Sequence, residues 1–455
     1  CEEDRLYLPT LYRSEQGIST RLYRLSQIAR IETGNVDQEI DAIESRDGVS
    51  FAPRQREALV KALTNGVMVL TGGPGTGKTT TVNGVIKLFE ARKRKVVLTA
   101  PTGRAAKRMQ EATGKEAKTI HRLLEFAWGT GFVRNAENPL EADVIIVDEI
   151  SMVDVLLMNS LLRAIPISAS VVLVGDFDQL PSVGPGSVLK DVIESGVVPV
   201  VTLNEIFRQA QASQIVTSAH GINSGGMPDM ENRSDGDFFF LEVVDPESVA
   251  RTISDLCCRR LPKTYGFDSF EDIQVLSPMH RGEVGTLALN ERLQEALNPQ
   301  GGEVLRSGVR YREGDKVMQV RNNYDKDVFN GDIGRIGRID QTEQQVAVRF
   351  GERSAIYDFG ELDELALAYA ITVHKSQGSE FKAVIIPVTT QHFVMLQRNL
   401  IYTAITRARD LVVVIGTKKA MGIAVKNNAV ALRNTTLVER LRARHNADTT
   451  EKLAL

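Results

Sequence analysis

The segment Gly72-Gly73-Pro74-Gly75-Thr76-Gly77-Lys78-Thr79-Thr80 sets glycines, a lysine and hydroxyls in the spacing G-x-x-x-x-G-K-[ST]. Glycines let consecutive backbone N–H groups wrap phosphate oxygens. A lysine at this offset reaches the β- and γ-phosphates, and the next hydroxyl, Thr79, suits Mg²⁺. A helix opening at Lys78 adds the positive potential of its N-terminus. A bare glycine-rich turn is the alternative; the apolar run Val67–Leu70 before the loop and the helical stretch after it argue against that. The complementary acids are Asp148 and Glu149, which end the run Val144-Ile145-Ile146-Val147. Asp148 would hold Mg²⁺ through its shell, and Glu149 would position and deprotonate a water. By itself the pair could be a solvated acidic turn; beside a phosphate loop it is the other half of an ATP hydrolysis site. Gln179, three residues after Asp176, could hydrogen-bond the γ-phosphate or the water. Arg208 and Arg407 are candidate fingers for the charge that develops in phosphoryl transfer, an effect worth roughly 10³–10⁵ in rate. Surface salt bridging is the plain alternative for any arginine. The ligands expected on this chemistry are ATP and Mg²⁺.

Such residues need a sheet edge to hold them. Val67–Leu70, Val96–Leu98, Val144–Val147 and Val171–Val174 are short apolar, β-branched runs bounded by Gly, Pro, Asp or Thr, with helical stretches Thr79–Arg92 and Arg104–Ala112 between them. This alternation predicts a parallel sheet covered on both faces, with ligands at the carboxyl ends of the strands. The texture returns in Ile273–Leu276, Val384–Ile386 and Leu411–Ile415, with a helix expected over Asn399–Ala408. Between these, Val309–Tyr311, Lys316–Val320, Ile333–Ile336 and Val346–Phe350 are separated by Gly, Asn and Asp turns, which predicts a small all-β insertion. The expected organisation is a helical lead-in over 1–50, a first α/β domain over 51–205, a second over 206–298 and 362–430, the β insertion over 299–361, and a C-terminal tail over 431–455. Phe126–Val133 reads as two short strands around a Gly-Thr-Gly turn, expected as a hairpin within 125–138. Its aromatics, Trp128 among them, would either stack on a base as a projecting pin or pack on the sheet.

At 455 residues the chain is long enough for two to four domains, and it opens on Cys1 rather than Met, so further residues upstream are expected. No run of about 18 apolar residues predicts a membrane helix, and no signal-peptide pattern opens the chain. The three cysteines, Cys1, Cys257 and Cys258, form no zinc-type spacing. A reducing, cytoplasmic setting fits them. The net charge of −3 excludes a general polycation, although a local basic groove can still hold a strand. Nothing in the sequence demands an oligomer, and a monomer is expected.

Taken in order, these segments resemble the superfamily 1 helicases, and most closely the RecD-like branch of subfamily 1B. The likeness spans about 51–417. It rests on Pro53-Arg54-Gln55, Gly72–Thr80, Ala100–Ala106, Ile120–Leu124, Asp148–Ser151, Gly175–Pro181, Phe207-Arg208-Gln209, Val373–Phe381 and Tyr402–Arg409. Each is weak to moderate alone; the ordered set is specific. The resemblance implies two RecA-like P-loop motor domains with ATP in the cleft between them, a β-hairpin pin and a small SH3-like β-barrel insertion. It implies that Gln55 reads the adenine, that Gly73–Thr80 hold the phosphates, and that Gln377, Gly378 and Glu380 lie near the nucleotide. Lys78, Glu149, Gln179, Arg208 and Arg407 would be catalytic. Pro101, Thr102, Gly103 and Arg104, then His121 and Arg122, then Thr372, His374 and Lys375 would grip single-stranded DNA, with Trp128, Asn322 and Asn323 as further contacts. For the grips, hydroxyls, backbone N–H groups and cations suit phosphates; Thr102 and Thr372 could equally cap helices, and His121 and His374 could be structural. The Asn322-Asn323 stretch reads as a polar turn or as a loop on the strand. The implied activity is ATP-dependent unwinding of a duplex DNA fork with 5′ to 3′ travel. An RNA helicase, a relaxase-associated motor, or a nucleoprotein remodeller that uses ATP only as a switch are the alternatives.

Overall fold

The computed structural model of the chain describes residues 5–28, 35–127, 129–207, 211–323, 325–429 and 433–454, the last of these by backbone alone from 448. Trp128, Arg208 and Cys1 lie outside the described residues. The chain divides into two compact units. The first takes 1–101, 105–208 and 431–455; the second takes 102–104 and 209–430.

The first unit opens with α1 (Pro9–Ser26), α2 (Val36–Asp47) and α3 (Pro53–Thr64), and then alternates strand and helix. Its elements are β1 (Val67–Gly72), α4 (Lys78–Ala91), β2 (Val96–Ala100), α5 (Gly103–Thr113), β3 (Ala117–Thr119), α6 (Ile120–Leu123), β4 (Phe126–Ala127), β5 (Gly131–Phe132), β6 (Val144–Val147), α7 (Val155–Ala164), β7 (Ser170–Gly175), α8 (Val188–Ser195) and β8 (Val200–Leu203). Six strands form one sheet in the order β3-β2-β6-β7-β1-β8, and each adjacent pair is parallel. Parallel strands covered on both faces must be apolar at every position, and β1, β6 and β7 are buried throughout. The period of two sorts them. Val67, Val69, Ile145, Val147, Val171 and Leu173 face one core with α1, α7 and α8. Met68, Leu70, Val144, Ile146, Val172 and Val174 face the other with α2, α3 and α4. The lead-in helices therefore belong to the unit: Ile18, Leu22 and Leu25 of α1 lie in the first core, and Val36, Ile40 and Ile43 of α2 in the second. The C-terminal helix Leu437–Ala454 joins them, with Leu437 and Leu441 in the same core as α1.

The second unit holds a five-stranded sheet of β9 (Phe238–Glu242), β10 (Ile273–Ser277), β18 (Ala370–Thr372), β19 (Phe381–Val388) and β20 (Ala408–Gly416), ordered β18-β10-β19-β20-β9 and parallel throughout. The chain leaves this sheet for β11 (Glu303–Arg306), β12 (Val309–Arg312), β13 (Lys316–Gln319), β14 (Ile333–Asp340), β15 (Gln345–Phe350), β16 (Arg353–Asp358) and β17 (Leu365–Leu367). The first two pair as a hairpin; the others form an antiparallel sheet in the order β16-β15-β14-β13-β17. A buried polar knot ties this insertion to the helix Thr286–Leu297: Asp315 accepts from Gln294 at 2.6 Å, Asn298 at 2.7 Å and the Tyr369 hydroxyl at 2.9 Å. The strands that hydrophobic pattern alone did not reveal, β3, β8, β9, β11, β16, β17 and β18, are short, mixed in polarity or at sheet margins. Among the described residues, no helix is long and apolar enough to cross a membrane.

Candidate nucleotide and strand-binding sites

In the first unit the loop between β1 and α4 turns at Gly75 and Gly77, with φ of +73° and +80°. A Cβ at Gly77 would lie 2.4 Å from Gln55 Nε2 and 2.8 Å from the Phe207 ring, so only glycine fits there. Gln55 is buried, accepts from Ala52 N at 2.9 Å and donates to Gly77 O at 3.2 Å. Thr76 Oγ1 donates to Gly73 O at 2.8 Å, and Lys78 Nζ donates to Gly72 O at 2.6 Å and Gly73 O at 2.9 Å. The ammonium is thus drawn into the loop itself. Thr79 and Thr80 are exposed on the first turn of α4.

The acids sit two strands away, at the carboxyl end of β6. Asp148 N donates to Thr99 O of neighbouring β2 at 2.9 Å, and Asp148 Oδ1 accepts from Glu149 N at 2.8 Å. Burial, and then the Glu149 charge, push the Asp148 carboxyl above the ordinary aspartate range, against the lowering effect of Arg108 and Lys78. Glu149 is buried in a left-handed conformation, φ +51°, and its Oε1 accepts from Arg108 Nη2 at 2.6 Å. At the end of β7, Asp176 is buried and Gln179 Nε2 donates to its Oδ2 at 3.1 Å. The glycine-only cradle at Gly77, the lysine within it and a buried carboxyl at the adjacent sheet edge together fit a nucleoside triphosphate with Mg²⁺, a cation that takes one or two carboxylates and keeps phosphate and water as its other ligands. Arg108 and Phe207 were not singled out by sequence as touching this site. Arg108 meets a residue 41 positions away, and only the pairing of β2 with β6 brings the two together.

The other grip residues on the first unit's stretch lie near the hairpin. His121 and Arg122 are on α6, whose first turn is capped by Thr119 Oγ1 accepting from Arg122 N at 3.2 Å. β4 and β5 pair through Phe126 and Phe132, whose rings meet edge to face at 5.2 Å, and His121 lies against both. Phe132 also packs on the first core. Burial lowers the His121 pKa, against the raising effect of Asp154.

Thr102–Arg104 group with the second unit, where Arg104 Nη1 donates to Ser379 Oγ at 2.7 Å; Pro101 groups with the first. Thr372 ends β18, and its Oγ1 accepts from Lys375 N at 3.3 Å, a capping arrangement for the turn His374–Ser376. Lys375 Nζ donates to Asn330 Oδ1 at 3.0 Å. Burial and neighbouring His280 lower the His374 pKa. A cavity of about 610 Å³ adjoins this turn, lined by His280, Met318, Val320, Ile371, Thr372 and Lys375 among others. Asn322 and Asn323 shape a turn of the insertion: Asn322 Oδ1 accepts from Asn330 N at 2.9 Å, and Asn323 Nδ2 donates to Glu364 Oε2 at 3.1 Å. Gln377 and Gly378 are buried, the latter at φ +72°, while Glu380 is exposed. Arg407 is buried, with Nε donating to Thr403 O and Nη1 to Ser379 O, both at 3.2 Å.

The first unit thus carries a phosphate loop on a parallel α/β sheet, and the second carries a parallel sheet interrupted by a small antiparallel one. Three family models match in that order: an AAA domain over 55–185, the ATP-dependent RecD-like DNA helicase SH3 domain over 289–350, and the UvrD-like helicase C-terminal domain over 367–415. The ATP-dependent RecD2 DNA helicase of Deinococcus radiodurans is 37% identical over 441 residues, covering 97% of this chain and 59% of that protein. The RecBCD enzyme subunit RecD of Mycolicibacterium smegmatis is 31% identical over 477 residues, 96% of this chain and 82% of that one. The chain belongs to the RecD-like helicase family. It spans about three fifths of the length of the Deinococcus relative. The crystal structure of Bacteroides Pif1 bound to ssDNA shares the fold, with a TM-score of 0.51 at 17% identity over 88% of this chain and 98% of that one.

Proposed function

We propose that this chain is an ATP-dependent DNA helicase that travels 5′ to 3′ along a single strand and unwinds the duplex ahead of it. The observation that carries the reading is the geometry of the first unit's sheet edge: Lys78 in a loop that turns at Gly75 and Gly77, with Asp148, Glu149 and Gln179 at the ends of β6 and β7. Gly73–Thr80 bind the phosphates, and Gln55 and Glu380 orient the nucleoside. Thr79 and Asp148 would hold Mg²⁺, which would supply positive charge against the charge that develops in phosphoryl transfer. Glu149 takes the proton of the attacking water, Gln179 orients that water, and Arg208 and Arg407 supply cations for the charge that develops in phosphoryl transfer. Pro101–Arg104, His121 and Arg122 make one grip on the strand, and Thr372, His374 and Lys375 make another. Alternation of the two grips through the ATP cycle gives directed stepping. The DNA relatives and the RecD-like family models favour DNA over RNA, and the hydrolytic set favours a motor over a passive switch. The reading takes the chain as a monomer acting in the cytoplasm.

The test is unwinding of partial duplexes carrying either a 5′ or a 3′ overhang, with ATP turnover followed alongside. The expected result is unwinding of the 5′-overhang substrate, and loss of both turnover and unwinding in Lys78→Ala, by at least about 10²-fold for a residue on the transferring phosphate. A preference for the 3′ overhang overturns the polarity, and normal turnover in Lys78→Ala overturns the pocket.

A further inference from the structure

Glu149, the carboxylate that must accept a proton from water, is bound by a cation that the hydrolytic chemistry does not need. Arg108 Nη2 lies 2.6 Å from Glu149 Oε1, with Glu149 almost fully buried. A guanidinium at that distance occupies the carboxylate oxygen with a charge-assisted hydrogen bond, so that oxygen is not free to accept from water. Lys78 is likewise turned onto the carbonyls of Gly72 and Gly73.

The helix that supplies Arg108 is α5, and α5 begins inside the segment Pro101–Arg104. Five residues separate Gly103 from Arg108, about 7.5 Å along a helix, and helical side chains lean back toward the N-terminus. β2, which feeds α5, pairs directly with β6, which ends at Asp148 and Glu149. Its buried side chains are Ala105, Ala106 and Met109, two of them too small to interlock deeply with the sheet, and Arg104 of its first turn is held by Ser379. A push at its first turn can shift Arg108 without breaking a large apolar contact.

We propose that Arg108 is a positioning residue that withholds Glu149 from the water until a single strand engages Pro101–Arg104, whereupon α5 moves and the carboxylate is released. Strand binding and hydrolytic competence are thereby coupled within one helix. This rests on the reading in which Pro101–Arg104 grips the strand and Glu149 is the general base.

The experiment measures ATP turnover by the full chain, with and without an oligo-dT strand, for the unaltered protein, Arg108→Ala and Arg108→Lys. Strand affinity without nucleotide is measured by fluorescence anisotropy. In Arg108→Ala the DNA-free kcat rises roughly 5- to 20-fold while the KM for ATP changes by less than about twofold, so the stimulation ratio collapses. Because coupling between sites is reciprocal, the same variant binds oligo-dT more tightly, by roughly 5-fold or more. Arg108→Lys, which keeps the charge, retains most of the stimulation. An unchanged DNA-free rate in Arg108→Ala overturns the inference, as does an equal fall of the free and stimulated rates, which would make Arg108 part of the productive or folded state. If the unaltered chain shows no DNA-stimulated turnover, the helicase reading falls and this inference with it. If stimulation is present and survives in Arg108→Ala, the inference falls alone.

Discussion

Gly77 shows how narrowly the nucleotide loop is specified at single positions. Its φ of +80° is strained for any side chain, and the nearest obstacle, Gln55 Nε2, is itself tied to the Gly77 carbonyl. A Gly77→Ala change must therefore twist the loop and displace Gln55 together. With about 1 kcal/mol or more for the left-handed backbone and a further cost for the clash, ATP turnover at subsaturating nucleotide is expected to fall at least about tenfold. Steady-state kinetics over a range of ATP concentrations checks this, and an unchanged kcat/KM would show that the loop relaxes freely. At the residue scale the sequence speaks through type and spacing. Lys78, Thr79, Asp148 and Glu149 were legible because the chemistry fixes their types and spacing, whereas Arg108 was not, since a basic residue on a helix has no distinguishing neighbour in the chain.

Among the elements, the hairpin of β4 and β5 is too short to form a core of its own. It is rooted instead through Phe132 on the first core and through the ring cluster with Phe126 and His121. On the proposed reading, its turn at Gly129 and Thr130 meets the duplex. Deletion of 126–133 is expected to abolish unwinding while DNA-stimulated ATPase persists; a deletion variant that unwinds at the normal rate would rule out a separating pin. The retained ATPase serves as the check that the unit still folds. The sequence announced the hairpin through its Gly-Thr-Gly turn, but the packing of Phe132 depended on a core assembled from α1, α7 and α8 far along the chain.

At the scale of the molecule, the first and last helices of the chain share one core in the first unit. The connection is polar as well as apolar. Arg433 donates to the carbonyls of Ser182, Gly184 and Gly186; Glu15 accepts from Thr436 N at 3.1 Å; Asp191 accepts from Thr435 Oγ1 at 2.9 Å. Burial raises the Asp191 pKa to about 7, opposed by the Thr435 hydrogen bond; Glu15 of α1 and Glu194 of α8 add to the rise, and Lys190 of α8 opposes it. Arg433 is the cation facing it from the C-terminal segment. The unfolded aspartate titrates near about 3.9. Between that value and about 7 the folded chain keeps a proton the unfolded chain has lost, so this group's stabilisation is complete at acid pH and is lost as pH rises through 7. Thermal unfolding at pH 5.5 and 8 should show the unaltered chain losing more stability with rising pH than Asp191→Asn. Equal losses would show that Asp191 does not titrate in this range.

The sequence by itself determined the chemistry and the class of fold. Apolar β-branched runs alternating with helices require a parallel sheet buried on both faces, and a phosphate loop with an acidic strand end requires the carboxyl edge of that sheet. These are local rules, written in period and spacing. Only the tertiary structure decided that α1 and the C-terminal helix complete the first core, that β8 and β9 border the two sheets, and that Arg108 lies on Glu149. Each of these depends on strand order and on contacts between distant residues, and one chain carries no local signal for either.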